Sequence, residues 1–320
     1  MSTDPTTEPT QPAGEDPAAY RAGFVSFVGR PNVGKSTLTN ALVGEKVAIT
    51  SSKPQTTRRA IRGIVHRPNG QVIVVDTPGI HRPRTLLGER LNDLVQNTLG
   101  DVDVIGFCVP ANEAIGPGDR FINTQLDDYP RAKKVAIVTK IDRVSKEQVA
   151  AQLLAVSELR DWASIIPTSG TRSMQLDELL AEITRLLPVS PQLYDDSTTT
   201  EETSVDRVAE LIREAALEGV RDELPHSLAV LVDDMVEREP DEGDDSGTPP
   251  TLDIYANLFV ERDSQKGIII GHKGSRLAEV GARARAQIEP LVGKQVFLSL
   301  RVKVAKDWQR DPKQLGRLGF

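Results

Sequence analysis

Residues 29–36 constrain the chain more than any other stretch. They read Gly29, Arg30, Pro31, Asn32, Val33, Gly34, Lys35, Ser36, the G-x-x-x-x-G-K-S spacing of a phosphate-cradling loop. The apolar, β-rich run 24–28 precedes them and reads as a buried strand. Residues 37–44 follow, opening on Thr37 and placing Leu38, Ala41 and Leu42 at helical spacing. Strand, glycine turn and helix start are the setting such a loop needs, and a chance match in a Gly-rich turn lacks it. Gly29 and Gly34 let the backbone turn sharply and present bare N–H groups to phosphate oxygens. The helix N-terminus adds partial positive charge. Lys35 can reach the β- and γ-phosphates of a bound nucleotide, and the Ser36 hydroxyl can sit on Mg²⁺.

Around this loop the pattern alternates between β-rich runs and helical stretches. It predicts strands at 24–28, 60–66, 71–76, 104–109, 135–139 and 165–168, and helices at 86–99, 118–126, 145–159 and 174–187. The expected fold is an α/β domain over residues 21–188 with a mostly parallel sheet. Asn69 and Gly70 predict a tight hairpin, which makes the second strand an antiparallel edge strand.

Two further motifs fall at strand ends. Asp76, Thr77, Pro78 and Gly79 follow the third strand. An Asp there faces the phosphate loop and can hold Mg²⁺ through water, and the Gly79 amide can contact a γ-phosphate. Thr139, Lys140, Ile141 and Asp142 close the fifth strand. A carboxylate at that place can accept both the N1 proton and the exocyclic amine of guanine, a donor pair that adenine lacks. The Lys140 stem can lie over the base. Each tetrapeptide alone is an ordinary turn; the order and spacing of all three motifs carry the reading.

This set resembles the translation-factor-class GTPases, and the loop sequence narrows it to the Era/EngA/TrmE group. The resemblance implies GTP/GDP and Mg²⁺ as cofactors. It makes Pro54, Gln55, Thr56, Thr57 and Arg58 a first switch segment in which Thr57 contacts Mg²⁺ and the γ-phosphate. It assigns Ser169 and Gly170 to the base side, and catalytic roles to Lys35, Thr57 and Gly79. Ser36, Thr57 and Asp76 are the implied metal ligands. Three positions depart from the pattern. Thr139 stands where the family usually has Asn, so weaker bracing of the base site is expected, without loss of guanine choice. Gly170 replaces Ala, a small change because the backbone N–H makes the contact. Ile80 stands where Ras-like proteins carry a water-orienting Gln, which implies slow intrinsic hydrolysis.

The composition changes after Leu187. Residues 188–204, rich in Pro, Asp, Thr and Ser, read as an interdomain linker. The second domain, 205–320, opens on an amphipathic helix at 205–220. Strand-like runs follow at 227–237 and 251–261, separated by an acidic, Pro/Gly-rich loop that would point away from nucleic acid. Then Ile270, Gly271, His272, Lys273 and Gly274 form a G-x-x-G loop with Arg276 behind it, a helix to about 291 and a strand at 295–304. Glycines there permit close approach of a sugar–phosphate backbone, and the basic residues supply charge. The α–β–β–α–α–β order resembles a type II KH domain. A GTPase joined to such a domain is similar to the Era-like branch of the family. The resemblance implies single-stranded RNA binding near the 3′ end of 16S rRNA, maturation of the small ribosomal subunit, a monomer, and peripheral contact with the inner membrane face. Three other readings compete, one of them an ATP-dependent kinase, which fails if Asp142→Asn shifts preference from GTP towards xanthosine triphosphate. A TrmE-like tRNA-modification GTPase carries a C-terminal cysteine motif, and this chain has no cysteine after Cys108. A regulatory GTPase could instead dock protein through its C-terminal half.

Charge agrees with RNA at one end only. The chain carries −7 overall, yet residues 262–320 hold 13 Lys+Arg against 5 Asp+Glu. Cys108 is the sole cysteine, so no intramolecular disulfide forms, and its apolar setting predicts a buried thiol. Residues 1–20 read as a disordered extension without a signal-peptide pattern, and no apolar run spans a bilayer, so a cytoplasmic location is expected. His66, His81, His226 and His272 show no metal-ligand spacing. Trp308 is expected to pack rather than to stack on a base.

Overall fold

The computed structural model describes residues 19–51, 53, 56–80, 83–220, 224–238 and 250–320. The expectations for residues 1–18, Pro54, Gln55, His81, the acidic stretch 239–249 and the His226 side chain lie outside the described residues.

The N-terminal unit runs β1 (Arg21–Val28), α1 (Lys35–Val43), β2 (Ile61–Arg67), β3 (Gly70–Asp76), α2 (Leu86–Asp101), β4 (Val104–Pro110), α3 (Pro117–Gln125), β5 (Lys133–Thr139), α4 (Lys146–Ser157), β6 (Ser164–Pro167) and α5 (Leu176–Leu186). These strands form one sheet of order β2-β3-β1-β4-β5-β6, and only β2 runs antiparallel. The β2–β3 hairpin forms as expected, but Arg67 pairs with Gly70, so the two-residue turn is Pro68 and Asn69 and Gly70 opens β3, where a Cβ would collide with Arg21 O. β3 and β4 are buried along their whole length, which is why they read as unbroken apolar runs rather than alternating ones. Phe27, Leu38, Val72 and Ile183 pack on one face of the sheet, and Phe107, Leu99, Ile122 and Val156 on the other. Strand order reverses between β1 and β4, and the loops leaving β1, β3 and β5 meet at that carboxyl edge, where α/β sheets bind ligands.

The stretch whose composition suggests a linker is docked. Arg21 and Val189 form one antiparallel bridge and Gly63 and Thr200 another. The Ile64 N–H donates to Thr199 O at 2.8 Å. The buried Gln71 side chain accepts from the Leu193 and Tyr194 N–H groups at 3.0 Å each. Residues 199–200 thereby cover the edge strand β2, which would otherwise present unpaired backbone groups.

The C-terminal unit runs α6 (Ser204–Leu217), α7 (Leu224–Ser227), β7 (Ala229–Arg238), β8 (Thr251–Val260), α8 (Asp263–Ile270), α9 (Ser275–Val292), β9 (Gln295–Val304) and α10 (Pro312–Arg317). Its sheet has the order β7-β8-β9, with β8 antiparallel to β7 and parallel to β9. Helices α6, α8 and α9 cover one face over Val208, Ile212, Ile254, Leu258, Ile269 and Ile288. The strand expected from residue 227 begins at Ala229, because Leu224–Ser227 form a helical turn.

A separate apolar cluster joins the two units. Leu87 and Leu91 of α2 pack with Trp308, Phe259, Leu315 and Leu318 of the C-terminal unit. Trp308 is fully buried, its Nε1–H donates to Ser227 O at 2.9 Å, and its ring stacks on Phe320 at 5.7 Å. Its role is packing, as expected.

Candidate functional site

The phosphate loop hangs between β1 and α1. Gly29 has φ +154, and a Cβ there would lie 2.6 Å from Cys108 O, so only glycine fits. Lys35 folds back under the loop and donates to Gly29 O at 3.1 Å and Arg30 O at 3.2 Å. Burial lowers its pKa, opposed by the Asp76 charge. Ser36, in the first turn of α1, donates to Asp76 Oδ2 at 2.7 Å. The Thr57 hydroxyl donates to the same oxygen at 3.1 Å and lies 3.1 Å from Ser36 Oγ. Three residues that are far apart in sequence thus place oxygens together. Burial raises the Asp76 pKa, while the Ser36 hydrogen bond and the Lys35 charge oppose it. Asp76 Oδ1 is buried without a hydrogen-bond partner. A donor set of two hydroxyls and a carboxylate suits a hard, oxygen-seeking cation such as Mg²⁺, and the orphaned Oδ1 offers a further acceptor for its water shell. The residues fit the ion.

The base end is built from β5 and the loop after β6. The Ser169 hydroxyl donates to Asp142 Oδ1 at 2.6 Å, and Thr171 Oγ1 reaches Oδ2 at 3.4 Å. The Ser169 hydrogen bond holds the Asp142 carboxyl below the usual carboxylate range. The Thr139 hydroxyl donates to Val33 O at 2.6 Å and ties the end of β5 to the phosphate loop. The hydroxyl that Thr139 has in place of the family's usual Asn amide thus bonds the Val33 carbonyl of the phosphate loop. Lys140 has φ 58, and its Nζ donates to Asn32 O at 2.6 Å, which lays its stem along the cleft.

These parts line one continuous cleft. A cavity of about 460 Å³ is bounded by Asn32, Gly34, Lys35, Ser36, Thr57 and Lys140. It adjoins a smaller one of about 70 Å³ at Asp142, Ser169 and Gly170, and the two share Gly34, Thr37, Lys140 and Arg143. Pro31, Thr77 and Gly79 also face the larger cavity. Four other expected residues turn elsewhere. Arg30 pairs with the buried Asp119 at 2.8 Å and with Glu113 at 3.0 Å, outside the loop. Val33, Ile80 and Ile141 pack their side chains into the domain core, so only their backbone can serve a nucleotide. Thr56 of the expected switch segment lines the phosphate end; Thr50, Ser51 and Lys53 beside it, Thr171 at the base end and Arg143 at both were not among the residues expected from sequence. The hydroxyl-rich run before Thr57 was the available signal.

The second candidate surface lies on the C-terminal unit. Gly271, Lys273 and Gly274 take φ values of 72, 50 and 82, so the loop between α8 and α9 arches outward with His272 and Lys273 exposed. Beside it is a groove of about 430 Å³ lined by Gly274, Leu277, Gly281, Arg285, Leu298 and Leu300. Small residues on α9 open this floor, and Arg285 supplies a charge that sequence reasoning passed over. Ile270 packs partly into the core. Arg276 turns away from the groove, because its guanidinium donates to Glu218 O at 2.8 Å and caps the C-terminus of α6.

Comparison with known proteins follows this geometry. The 50S ribosome-binding GTPase family matches residues 24–140, and the KH domain family matches residues 223–309. GTPase Era of Leifsonia xyli subsp. xyli is 74% identical over 302 residues, 94% of this chain and 99% of the relative. GTPase Era of Streptomyces coelicolor is 61% identical over 313 residues, 96% and 98% of the two chains. Among solved structures, Era in complex with MgGDPNP and nucleotides 1506–1542 of 16S ribosomal RNA superposes with a TM-score of 0.87 at 34% identity, covering 94% of this chain and 99% of that one. An Aquifex aeolicus Era variant bound to GDP·AlF4⁻ gives a TM-score of 0.86 at 34% identity, covering 93% and 99%. Identity of this extent over both units, in the same order, means that the chain belongs to the Era family of GTPases.

Proposed function

We propose that this chain binds GTP and Mg²⁺, hydrolyses GTP to GDP and phosphate, and uses its nucleotide state to govern binding of 16S rRNA near the 3′ end during assembly of the small ribosomal subunit. The observation that carries the reading is the convergence of Ser36, Thr57 and Asp76 at one end of a cleft whose other end is the Ser169-held Asp142 carboxylate.

Asp142 accepts the two guanine donors, with Ser169 and Thr171 fixing its orientation. Lys35 and the loop amides neutralise charge on the β- and γ-phosphates. Ser36 and Thr57 would ligate the metal, and Asp76 would hold its water shell. When bound, the ion supplies electrostatic stabilisation to the phosphoryl oxygens. Water attacks the γ-phosphorus as its bond to the β-bridging oxygen breaks. The Gly79 amide positions the γ-phosphate for this attack. Ile80 is packed against the core and offers the water no hydrogen bond, which makes intrinsic turnover slow.

On the C-terminal unit, the arched loop brings His272, Lys273 and backbone amides to an RNA strand, and the groove beside α9 takes unstacked bases. The solved relative that holds nucleotides 1506–1542 supports 16S rRNA as the partner. A cytoplasmic monomer, with peripheral contact at the inner membrane face, belongs to the same reading and is supported by the family resemblance. Among the described residues no helix is long and apolar enough to cross a membrane.

The test is titration of purified protein with an oligoribonucleotide of the 16S 3′ end, with GDP or a non-hydrolysable GTP analogue. Tighter binding with the analogue is expected, and Lys273→Glu should lose RNA affinity while keeping GTP affinity. Unchanged RNA affinity in that variant would favour a protein-docking C-terminal domain instead.

A further inference from the structure

The segment that carries Thr57 is held from behind by the C-terminal unit. Described residues on either side of Thr57 contact α6 and its neighbours. Glu214 accepts from Thr50 N–H at 2.8 Å and pairs with Lys46. Arg207 donates to Lys46 O at 3.2 Å. Arg59 pairs with Asp206, and Arg62 pairs with Glu201 at 2.7 Å. Arg58 is buried, donates to Leu228 O at 2.7 Å, and lies 5.8 Å from the Trp308 ring centroid and 5.9 Å from that of Phe320.

One contact touches the nucleotide site more directly than these. Arg213 of α6 is 1% exposed, and its Nη2 donates to Thr56 O, the carbonyl of the peptide that carries the Thr57 N–H. Its guanidinium is itself oriented by Glu210, which accepts from Nε at 2.9 Å and from Nη2 at 2.6 Å. A fork fixed by a carboxylate on one side fixes a peptide plane on the other. That peptide plane sets where the Thr57 hydroxyl points, and the hydroxyl points at Ser36 and Asp76.

We propose that Arg213 is a positioning residue for the GTP site, acting through the 56–57 peptide from the neighbouring domain. The proposal rests on the reading of Thr57 as the residue that contacts Mg²⁺ and the γ-phosphate. Its consequence is selective. GDP needs the phosphate loop and the base end but not Thr57, so the Arg213 fork favours the triphosphate alone. By reciprocity, a bound triphosphate tightens the hold of α6 on Thr50, Thr56 and Arg59 by the same factor. The C-terminal unit is then part of the GTP-binding site without touching nucleotide. A bare GTPase domain lacking α6 loses this preference.

The experiment compares the affinities of Mg²⁺-GDPNP and Mg²⁺-GDP by calorimetry in the full chain and in three variants. Thr57→Ala is the reference and should remove most of the analogue's advantage over GDP. Arg213→Met should lower GDPNP affinity about tenfold, the size of one charged hydrogen bond, and leave GDP affinity within about twofold. Arg213→Lys, which keeps a cationic donor, should recover most of the loss. Should the buried Met variant fail to fold, Glu210→Gln frees the fork at a less buried position and should shift the same ratio about threefold. Amide exchange at residues 56–58 supplies a second readout: GDPNP should slow it in the parent chain and not in Arg213→Met. Equal loss for both nucleotides, or no loss for either, overturns the proposal while Thr57→Ala still behaves as expected. A Thr57→Ala variant that keeps its GDPNP preference overturns the reading of the site, and the proposal with it.

Discussion

The Ser169 hydroxyl donates to Asp142 Oδ1 at 2.6 Å, so the carboxylate proposed to select the base is oriented by a residue 27 positions later. Asp142→Asn replaces an acceptor with a donor against guanine. GTP affinity should fall about a hundredfold or more, with a gain for xanthosine triphosphate. Ser169→Ala should weaken GDP binding about tenfold without changing base preference. Competition titrations with GTP, ATP and xanthosine triphosphate decide both.

The same hydrogen bond gives guanine recognition a pH signature. Ser169 holds the Asp142 pKa below its usual value, and the unfolded chain has no such partner. The carboxylate therefore stays ionised as pH falls through the ordinary carboxylate range near ~3.9. Its contribution to stability is present above that value and is lost as pH falls through the lower, folded pKa. In Ser169→Ala the loss of GDP affinity on acidification should begin at higher pH than in the parent chain, as measured by nucleotide fluorescence.

Cys108 titrates in the opposite direction. Burial pushes its thiol up to about 12. The native state keeps the proton while the unfolded chain gives it up near ~8.5. Stability is fully present below that pH and is lost as pH rises towards 12, with a slope of at most about 1.4 kcal/mol per pH unit. Cys108→Ala should flatten the alkaline limb of a urea-unfolding series, and native Cys108 should resist thiol reagents.

Gly29→Ala tests the loop geometry. The new Cβ would meet Cys108 O at 2.6 Å, a backbone atom that cannot rotate away. Loss of nucleotide binding together with a lower Tm is expected. Normal GTP affinity would mean that the loop relaxes.

Trp308→Ala tests the joint between the units. Removing this fully buried ring should cost about 3–5 kcal/mol and lower Tm. Because Trp308 packs with Leu87 and Leu91 of α2 and beneath Arg58, the variant should also weaken the GDPNP-dependent gain in RNA affinity.

Most of the fold was legible as local pattern. The phosphate loop, the β2–β3 hairpin, the apolar strands and the helical stretches are short-range signals, and each was set by turn chemistry, periodicity or capping within a few residues. The nucleotide motifs were legible for the same reason, since Gly29, Asp76 and Asp142 stand at or just past strand ends and Lys35 opens α1. The side-chain partners were not. Arg30 reads as a loop residue and pairs with Asp119, Arg276 reads as an RNA contact and caps α6, and residues 188–203 read as a tether and cover β2. Sequence alone determined that this chain has a guanine-nucleotide cleft and a separate G-x-x-G loop. Only the tertiary structure decided that α6 stands behind Thr57, because Arg213 and Thr56 are 157 residues apart and no local rule reaches across that distance.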